Sequence, residues 1–415
     1  MIHMADPFAD TAHLEWLDGQ RAALLDFYQP NVRIPGGGFA YLGHSGEPVI
    51  AQGAQLWLGA RMLHCFSIAH LLGRPGADEV VEHGLDFYLD GAGRDQEHGG
   101  FYATVGGDQP SEAKELYGQA HMLLAASSAK TAGFDRAGAL LDHTLEVIDR
   151  HYWREDDGAC VEAYDRRFEV LDLYRGQNAN MHLTEAYLAA HEATGDPELL
   201  DRAARIARRI AGPAAVDSDG SWRLVEHFDE SWRPLPRFNR DDPRHAFRPY
   251  GSQPGHWLEW SKLLMQLHGL GRDDDWLHAA SRRLFAGAFQ DAWMDGGGFI
   301  YTVDWDGTPV VEERYFWEPP EGIGAARYLY LTTGDDGYVE RYHEMWRYCS
   351  DHFIDPDTGA WFHELDRDNR PVMHTWPGKP DLYHAFQATM YAFTPIDKGL
   401  AAWAASARTT TSPID

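Results

Sequence analysis

Residues 55–73 read QLWLGARMLHCFSIAHLLG, a helical stretch that is apolar nearly all round. A helix without a polar face is buried on every side, as the inner helices of a barrel must be. Residues 197–211, PELLDRAARIARRIA, differ, because leucine, alanine and isoleucine occupy one helical face while an aspartate and four arginines fill the other. That pattern is typical of a half-exposed helix. The sequence therefore predicts two kinds of helix, inner and outer.

Inner and outer stretches alternate along the whole chain. Further inner helices are predicted near residues 116–128, 178–192, 256–268, 322–332 and 381–393. Outer helices are predicted near residues 78–91, 135–151, 197–211, 274–289, 335–352 and 397–406. Residues 12–28 add one more helix.

A turn that ends in glycine, followed by an aromatic or small apolar residue, recurs six times. The starts are Gly38-Phe39, Gly100-Phe101, Gly158-Ala159, Gly220-Ser221-Trp222, Gly298-Phe299 and Gly359-Ala360-Trp361. Their spacing of roughly sixty residues indicates a repeat architecture, and each period has room for two helices and a hairpin. The sequence thus predicts an all-α, (α/α)6 barrel of about twelve helices with short β-hairpins on one rim. Because no repeat has a core until it closes against its neighbours, we expect one catalytic domain over residues 1–407 and a disordered tail over 408–415.

Composition limits the possible partners and compartments. The formal net charge of −28 argues against nucleic acid and anionic membrane surfaces, and it favours a small ligand. No apolar run reaches the length of a membrane span, and the N-terminal residues lack the pattern of a secretory signal. Cys65, Cys160 and Cys349 are odd in number and far apart, which predicts buried free thiols in a reducing cytoplasm. The oligomeric state stays open, a homo-oligomer included.

Several polar residues lie where the apolar inner helices begin. In chain order they are Trp57 and Arg61, Tyr117 and His121, Asn178 and His182, His256 and Glu259, Glu318 and Glu321, and Asp381 and His384. Polar groups in such helices are expensive unless they are paired, and equivalent positions in a ring converge on one axis. We therefore expect histidines, an arginine and carboxylates to meet at the mouth of one cavity.

Two spacings suggest acid–base chemistry. His256 and Glu259 are three residues apart on one helical face, so that the carboxylate is placed to hold the imidazole ring. Arg61 needs an anionic or carbonyl partner, which a substrate oxygen can supply. Purely structural roles are an alternative for three of these residues. Trp57 and Tyr117 are equally explained as core residues, and Glu318 as a carboxylate at a helix start. A zinc site built from the histidines is disfavoured by the nearby arginine, so we predict no metal.

Residues 239–251 and 254–260, NRDDPRHAFRPYG and PGHWLEW, together resemble the N-acylglucosamine 2-epimerase superfamily. The resemblance is strongest to its aldose–ketose isomerase branch, the mannose and sulfoquinovose isomerases. Short matches around Arg61, at 178–182 (NANMH) and at 382–384 (LYH) support it, and it extends over nearly the whole chain. The family fold is the (α/α)6 barrel, in agreement with the repeat.

The resemblance also implies residue roles. It implies proton transfer between C1 and C2 of an open-chain sugar without metal or cofactor, with His384 as the principal base and a cis-enediol as intermediate. His256, held by Glu259, would serve ring opening or protonation of O1 and O2. Arg61 and His182 would polarise the carbonyl and bind the enediolate oxygens. The residues expected to shape the hexose pocket are Trp57, Tyr117, Asn178, Glu318, Trp376 and Asp381.

The substrate is a separate question. Interconversion of D-mannose and D-fructose, with related sugars such as lyxose, is favoured over a sulfosugar, which needs an extra anion site. Arg237, Arg240, Arg244 and Arg248 either provide that site or pair with nearby carboxylates. A sugar 2-epimerase, an (α/α)6 glycoside hydrolase with two carboxylates and a non-catalytic sugar-binding barrel are the remaining alternatives.

Overall fold

The computed structural model describes residues 6–8, 10–216 and 222–411, with side chains through Arg408. Helices dominate these residues. They are α1 Thr11–Tyr28, α2 Leu56–Leu71, α3 Ala77–Leu89, α4 Leu116–Thr131, α5 Ala137–Val147, α6 Gln177–Thr194, α7 Pro197–Ala211, α8 Pro213–Val216, α9 Pro254–Gly269, α10 Trp276–Asp291, α11 Glu318–Thr333, α12 Gly337–Tyr348, α13 Tyr383–Ala388 and α14 Leu400–Thr411. A 3₁₀ turn spans Ile50–Gln52, and wide π-type turns extend α5 and α12 over Ile148–Tyr152 and Cys349–Phe353.

The strands are short and form six antiparallel pairs. The pairs are Ala54–Gln55 with Thr104–Val105, Lys114–Glu115 with Ala163–Tyr164, Trp153–Arg154 with Ala159–Cys160, Arg175–Gly176 with His227–Phe228, Thr302–Val303 with Pro309–Val311, and Arg314–Tyr315 with Glu364–Leu365. Four of these pairs join the strand just before an inner helix to the hairpin of the following repeat. The four inner helices α2, α4, α6 and α11 therefore begin at a fixed place relative to the next hairpin.

The described residues fall into two compact units. The first lies within Met1–Tyr28, Val216–Arg223 and Asn239–Leu400, and the second within Gln29–Ala215, Leu224–Phe238 and Ala401–Asp415. In the second unit the inner helices α2, α4 and α6 pack in series, and α3, α5 and α7 cover them in turn. In the first unit α11 packs on α9 and α13, while α10 covers α9 and α12 covers α11. The single domain over residues 1–407 stays a prediction.

Burial confirms the two kinds of helix. Every residue of α2 is buried except Trp57 and His70. In α7 the buried residues are all leucine, alanine or isoleucine, while Leu200 and the arginine face stay at least partly accessible. The three cysteines are free and buried, as predicted.

The repeat glycines share one backbone conformation. The five described glycines have φ between 59° and 84°, the left-handed region that favours glycine. A short antiparallel bridge or strand pair closes each of these turns, for example Arg94 with Phe101 and Ile354 with Trp361. The fourth predicted start, Gly220-Ser221, lies outside the described residues.

Two segments at the end of the chain differ from the predicted helix bounds. The sixth inner helix, predicted over 381–393, is α-helical only over Tyr383–Ala388, and the chain continues in tighter turns. Pro395 disfavours helical backbone at the preceding residue, which is consistent with the early end. The outer helix α14 extends to Thr411, past the predicted start of the tail, and residues 412–415 lie outside the described residues.

Candidate active site

In the second unit, Arg61 on α2 is held by two side chains of α4. Its Nε donates to Nε2 of His121 over 3.0 Å, and its Nη2 donates to the hydroxyl of Tyr117 over 2.9 Å. The guanidinium also lies 5.2 Å from the centre of the Trp57 ring, a cation–π contact. Arg61 is 5% exposed. The structure thus fixes a buried cation between two aromatic side chains, as a site for a developing anion requires.

His121 is a neutral imidazole of defined tautomer. Its Nδ1 lies 2.8 Å from the carbonyl oxygen of Tyr117, which only accepts, so Nδ1 carries the proton. Its Nε2 accepts from Arg61. Both ring nitrogens are therefore committed to positioning the arginine. The sequence placed His121 among the polar residues at the helix starts but gave no sign of this role.

His182 on α6 lies beside the same cluster. Its ring centre is 4.4 Å from that of His121 and 5.2 Å from that of Tyr117. Glu185, one turn further along α6, has a carboxylate oxygen 3.9 Å from Nδ1 of His182, beyond hydrogen-bond range. Asn178 precedes His182 by one turn and is partly exposed. The structure therefore brings together four of the second-unit residues predicted for the site, Trp57, Arg61, Tyr117 and His182. A contact of Asn178 with this cluster stays a prediction.

In the first unit, His384 on α13 is paired with a carboxylate from another helix. Its Nδ1 lies 2.7 Å from Oε1 of Glu321 on α11, and Oε2 of Glu321 lies 2.5 Å from Nζ of Lys262 on α9. All three side chains are at most 5% exposed. A carboxylate that accepts from Nδ1 fixes the proton there and leaves Nε2 of His384 with its lone pair.

Two glutamates lie one turn apart on α11 and are both fully buried, but their pKa values are shifted in opposite directions. Burial raises the pKa of Glu318 well above its usual range, and the N–H of Tyr315 at 3.2 Å and the charge of Arg314 offset this only in part. Burial acts in the same sense on Glu321, but the charge of Lys262 and the bond to His384 outweigh it and lower the pKa of Glu321. Burial therefore favours the neutral acid form of Glu318, whereas the contacts of Glu321 favour its carboxylate form. Two carboxyl groups whose pKa values are driven apart are a common sign of acid–base assignment.

His256 and Glu259 both lie on α9 and are at least 96% buried, with exposures of 4% and 1%. The ring of Trp317 lies 5.4 Å from that of His256 and 5.8 Å from that of His384, so it is a wall shared by both histidines. Gly255 makes room for it, because a Cβ there would lie 2.4 Å from the indole. Sequence reasoning missed Trp317, and its signal was an aromatic residue directly before α11. That Glu259 holds His256 stays a prediction.

Asp381 and His363 set the start of the helix that carries His384. The carboxylate of Asp381 accepts the N–H of Tyr383, the first residue of α13, over 2.9 Å. The N–H of Asp381 donates to Nε2 of His363 over 3.1 Å, and its carbonyl accepts the hydroxyl of Tyr28 over 2.9 Å. Burial lowers the pKa of His363 to about 4, so this imidazole is neutral. Asp381 thus fixes the start of the helix that carries His384. Its contact with substrate stays a prediction.

Trp376 and Phe247, which both lie in loops, form a second aromatic contact. Trp376 packs on the buried cluster of Tyr301, Val311 and Tyr315 and lies edge-on to Phe247 at 5.2 Å.

One of the loop arginines is paired with a carboxylate. Arg244 binds Oε1 of Glu313 over 2.6 Å. This pairing agrees with the carboxylate alternative predicted for the loop arginines and ties up one of the candidates for an anion site.

A buried histidine paired with a carboxylate, a histidine of fixed tautomer and a buried arginine are side chains suited to proton transfer. The pattern of the N-acylglucosamine 2-epimerase (GlcNAc 2-epimerase) family matches residues 37–388. The chain belongs to that family.

Curated and solved relatives agree with this assignment. The chain is 42% identical over 399 residues to the D-mannose isomerase of Thermobifida fusca, covering 95% of this chain and 97% of the relative. It is 39% identical to the D-mannose isomerase of Pseudomonas cannabina pv. alisalensis, covering 94% and 95%. A crystal structure of D-mannose isomerase matches with a TM-score of 0.85 and 31% identity over 91% of this chain and 97% of that one. The predicted (α/α)6-barrel fold class is confirmed.

No helix within the described residues is long and apolar enough to cross a membrane.

Proposed function

We propose that this protein is an aldose–ketose isomerase that interconverts D-mannose and D-fructose by proton transfer between C1 and C2. The observation that carries the chemistry is the bond between Nδ1 of His384 and Glu321, because it leaves Nε2 as a base. The names of the relatives at 42% and 39% identity support the substrate. The resemblance of the sequence around Arg61, His182 and His384 to the isomerase branch supports the residue roles.

In the proposed reaction, Nε2 of His384 takes the C2 proton of open-chain mannose. The electrons of the broken C–H bond form the C1–C2 double bond of a cis-enediolate, and O1 takes the negative charge. A proton then passes from O2 to O1, which moves the negative charge to O2. His384 returns its proton to C1 as the charge on O2 forms the C2 carbonyl of fructose. No external oxidant or reductant is needed, and we propose that the reaction uses neither a metal nor a cofactor.

Arg61 and His182 are proposed to bind the oxygens that become negative. A proton next to a carbonyl is a weak acid, so a histidine base needs donors fixed in advance at the developing oxyanion. Arg61 meets this requirement because its guanidinium is buried and held by His121 and Tyr117. An arginine held in this way does not have to reorganise as the charge forms.

His256, with Glu259, is proposed as the second acid–base, which opens the sugar ring and moves protons on O1 and O2. The remaining residues are proposed to shape the hexose pocket: Trp57, Tyr117, Asn178, Glu318, Trp376 and Asp381. Glu318 suits this task as a neutral acid, since its protonated carboxyl is able to donate to a sugar hydroxyl. We also propose a cytoplasmic location, supported by the three free cysteines.

The 2-epimerases are the second candidate function, because they begin with the same proton abstraction and differ in where the proton returns. A chemical assay separates the two. EDTA-treated protein is incubated with D-mannose and the products are followed by NMR. The isomerase proposal expects fructose as the main product. Glucose without fructose would assign the protein to the epimerases, and turnover of sulfoquinovose in preference to mannose would assign it to the sulfosugar isomerases.

A further inference from the structure

Lys262 is a charged side chain in the interior of an inner helix. It lies on α9 two turns beyond His256, and its side chain is 1% exposed. Its Nζ is 2.5 Å from Oε2 of Glu321 and 3.3 Å from the hydroxyl of Tyr391. That hydroxyl in turn donates to Oε1 of Gln387 over 3.0 Å, so it accepts from the lysine. Along Lys262, Tyr391 and Gln387, each donor therefore meets an acceptor.

The packing makes room for the lysine stem. Gly324 on α11 faces it, and a Cβ added there would lie 3.0 Å from Cδ of Lys262 and 2.9 Å from the ring of Tyr391. Gly324 lies in a regular helix and has no positive φ, so its backbone does not call for glycine. The absence of a side chain is instead explained by the close approach of both the Lys262 stem and the Tyr391 ring.

A carboxylate as buried as Glu321 does not stay charged without a partner. Of the two groups that contact it, His384 is neutral as a base, which leaves Lys262 as the permanent cation. If Glu321 took up a proton, it would donate to Nδ1 of His384, and the imidazole proton would move to Nε2. The base would then lose the lone pair that the reaction needs.

We propose that Lys262 is a positioning residue of the isomerase reaction: through Glu321 it holds His384 in the Nδ1–H form, the tautomer in which Nε2 carries the lone pair that takes the sugar proton. The expected loss of kcat rests on the proposed function. The expected tautomer of His384 rests on the Lys262–Glu321–His384 contacts. The titratable groups of this network are Glu321, His384, Lys262 and Tyr391. The rings of Tyr383 and Tyr328 pack against His384 and Tyr391, and Glu318 precedes Glu321 by one turn.

The test is Lys262→Met, which removes the charge and keeps a long unbranched side chain. We expect kcat near neutral pH to fall about 10- to 100-fold, with KM changed far less. Without the lysine the carboxyl of Glu321 ionises at higher pH, so the acid limb of the kcat profile moves up by about 1 to 3 pH units. Raising the pH therefore restores part of the activity.

A double variant tests whether the effect passes through Glu321. Once Glu321→Gln has removed the carboxylate, Lys262→Met should lower kcat by no more than about twofold further. If the loss of kcat in the double variant equalled the product of the two single losses, the lysine would act by a route other than Glu321. Lys114→Met is the matched control, because Lys114 is also fully buried and lies 3.1 Å from a carboxylate oxygen of Asp95, away from His384 in sequence and in the other unit. It should lower stability without moving the acid limb.

The tautomer of His384 gives a readout that does not depend on turnover. Two-bond ¹⁵N–¹H correlation spectra of the full-length protein, with the signal assigned by its loss in His384→Gln, should show Nδ1–H in the wild type and Nε2–H in Lys262→Met. An unchanged tautomer and an unchanged pH profile in Lys262→Met would overturn the inference while leaving the isomerase proposal intact. If the wild type turned over no sugar, the proposed function would fail, and the spectra would still decide the structural part.

Discussion

Nδ1 of His384 lies 2.7 Å from Oε1 of Glu321, a bond between two buried side chains that belong to different helices and are 63 residues apart in sequence. The bond orients the imidazole ring and selects its tautomer. A histidine held in this way presents one nitrogen as a base and cannot turn to offer the other. The proposed proton transfer depends on this arrangement, in which Nδ1 carries the proton and Nε2 acts as the base.

Replacing Glu321 by glutamine should therefore damage catalysis more than binding. The amide of Glu321→Gln is able to donate to Nδ1 and so favours the wrong tautomer, and we expect kcat for mannose to fall about 10²- to 10⁴-fold with a small change in KM. Steady-state kinetics at pH 7 measure this. Asp291→Asn is the control, since Asp291 binds Trp222 and Arg223 in the same unit. Comparable losses of kcat in both variants would show a general structural effect.

Glu318→Gln should affect the pH dependence of stability in a defined direction. Because burial raises the pKa of Glu318 in the folded state, its contribution to stability is present below its unfolded pKa and is lost as pH rises towards the folded value. Glutamine imitates the neutral acid and does not titrate. The variant should therefore gain in unfolding free energy relative to the wild type as pH increases above about 4.5. Urea unfolding at several pH values tests this, and a constant difference would contradict the neutral assignment.

Arg61→Lys tests whether the geometry of the cation matters or only its charge. A lysine cannot make both the Nε bond to His121 and the Nη2 bond to Tyr117 in their present geometry. We expect kcat/KM to fall about 10²-fold, in the range found for the loss of one oxyanion donor. Arg136→Lys, which alters an exposed arginine paired with Asp86 and Asp90, should leave kcat/KM unchanged. Wild-type kcat/KM in Arg61→Lys would argue that charge alone suffices.

His363 should make the fold sensitive to acid. Its folded pKa of about 4 lies below the ordinary value of 6.5, so the unfolded chain binds the extra proton first and stability is lost as pH falls from 6.5 towards 4. The loss from this one group is about 3 kcal/mol. His363→Gln should reduce the slope of unfolding free energy across that window, whereas His374→Gln, at an exposed position, should not. Equal slopes in the wild type and both variants would contradict the neutral buried histidine.

The fold was predictable because its signals are local and repeated. A glycine that adopts positive φ before an aromatic residue, and helices that are apolar all round or on one face, recur at a spacing that sequence alone reveals. The end of the sixth inner helix was predicted less well. Its apolar run continues past Ala388, and periodicity does not register where the backbone tightens from α-helix to shorter turns.

The site was predictable by residue but not by pairing. The sequence placed Glu321 and His384 among the polar residues at the starts of inner helices. It could not show that they bind each other, because the bond depends on how α11 packs against α13. Sequence reasoning instead paired His256 with Glu259 from their spacing on one helix. Lys262 did carry a signal, a charge inside an apolar helix, but it lies beyond the helix start, where the site residues were expected.

The measurement that tests the central claim most directly is the position of deuterium in the product. The EDTA-treated wild-type protein is incubated with D-mannose in deuterated water, and the sugars are analysed by NMR. The account predicts fructose that carries deuterium at C1, since a proton held on His384 exchanges with solvent before it returns to the sugar. Fructose formed without deuterium at C1 would contradict proton transfer by a histidine base, and deuterium found only at C2 of glucose would contradict the isomerase itself.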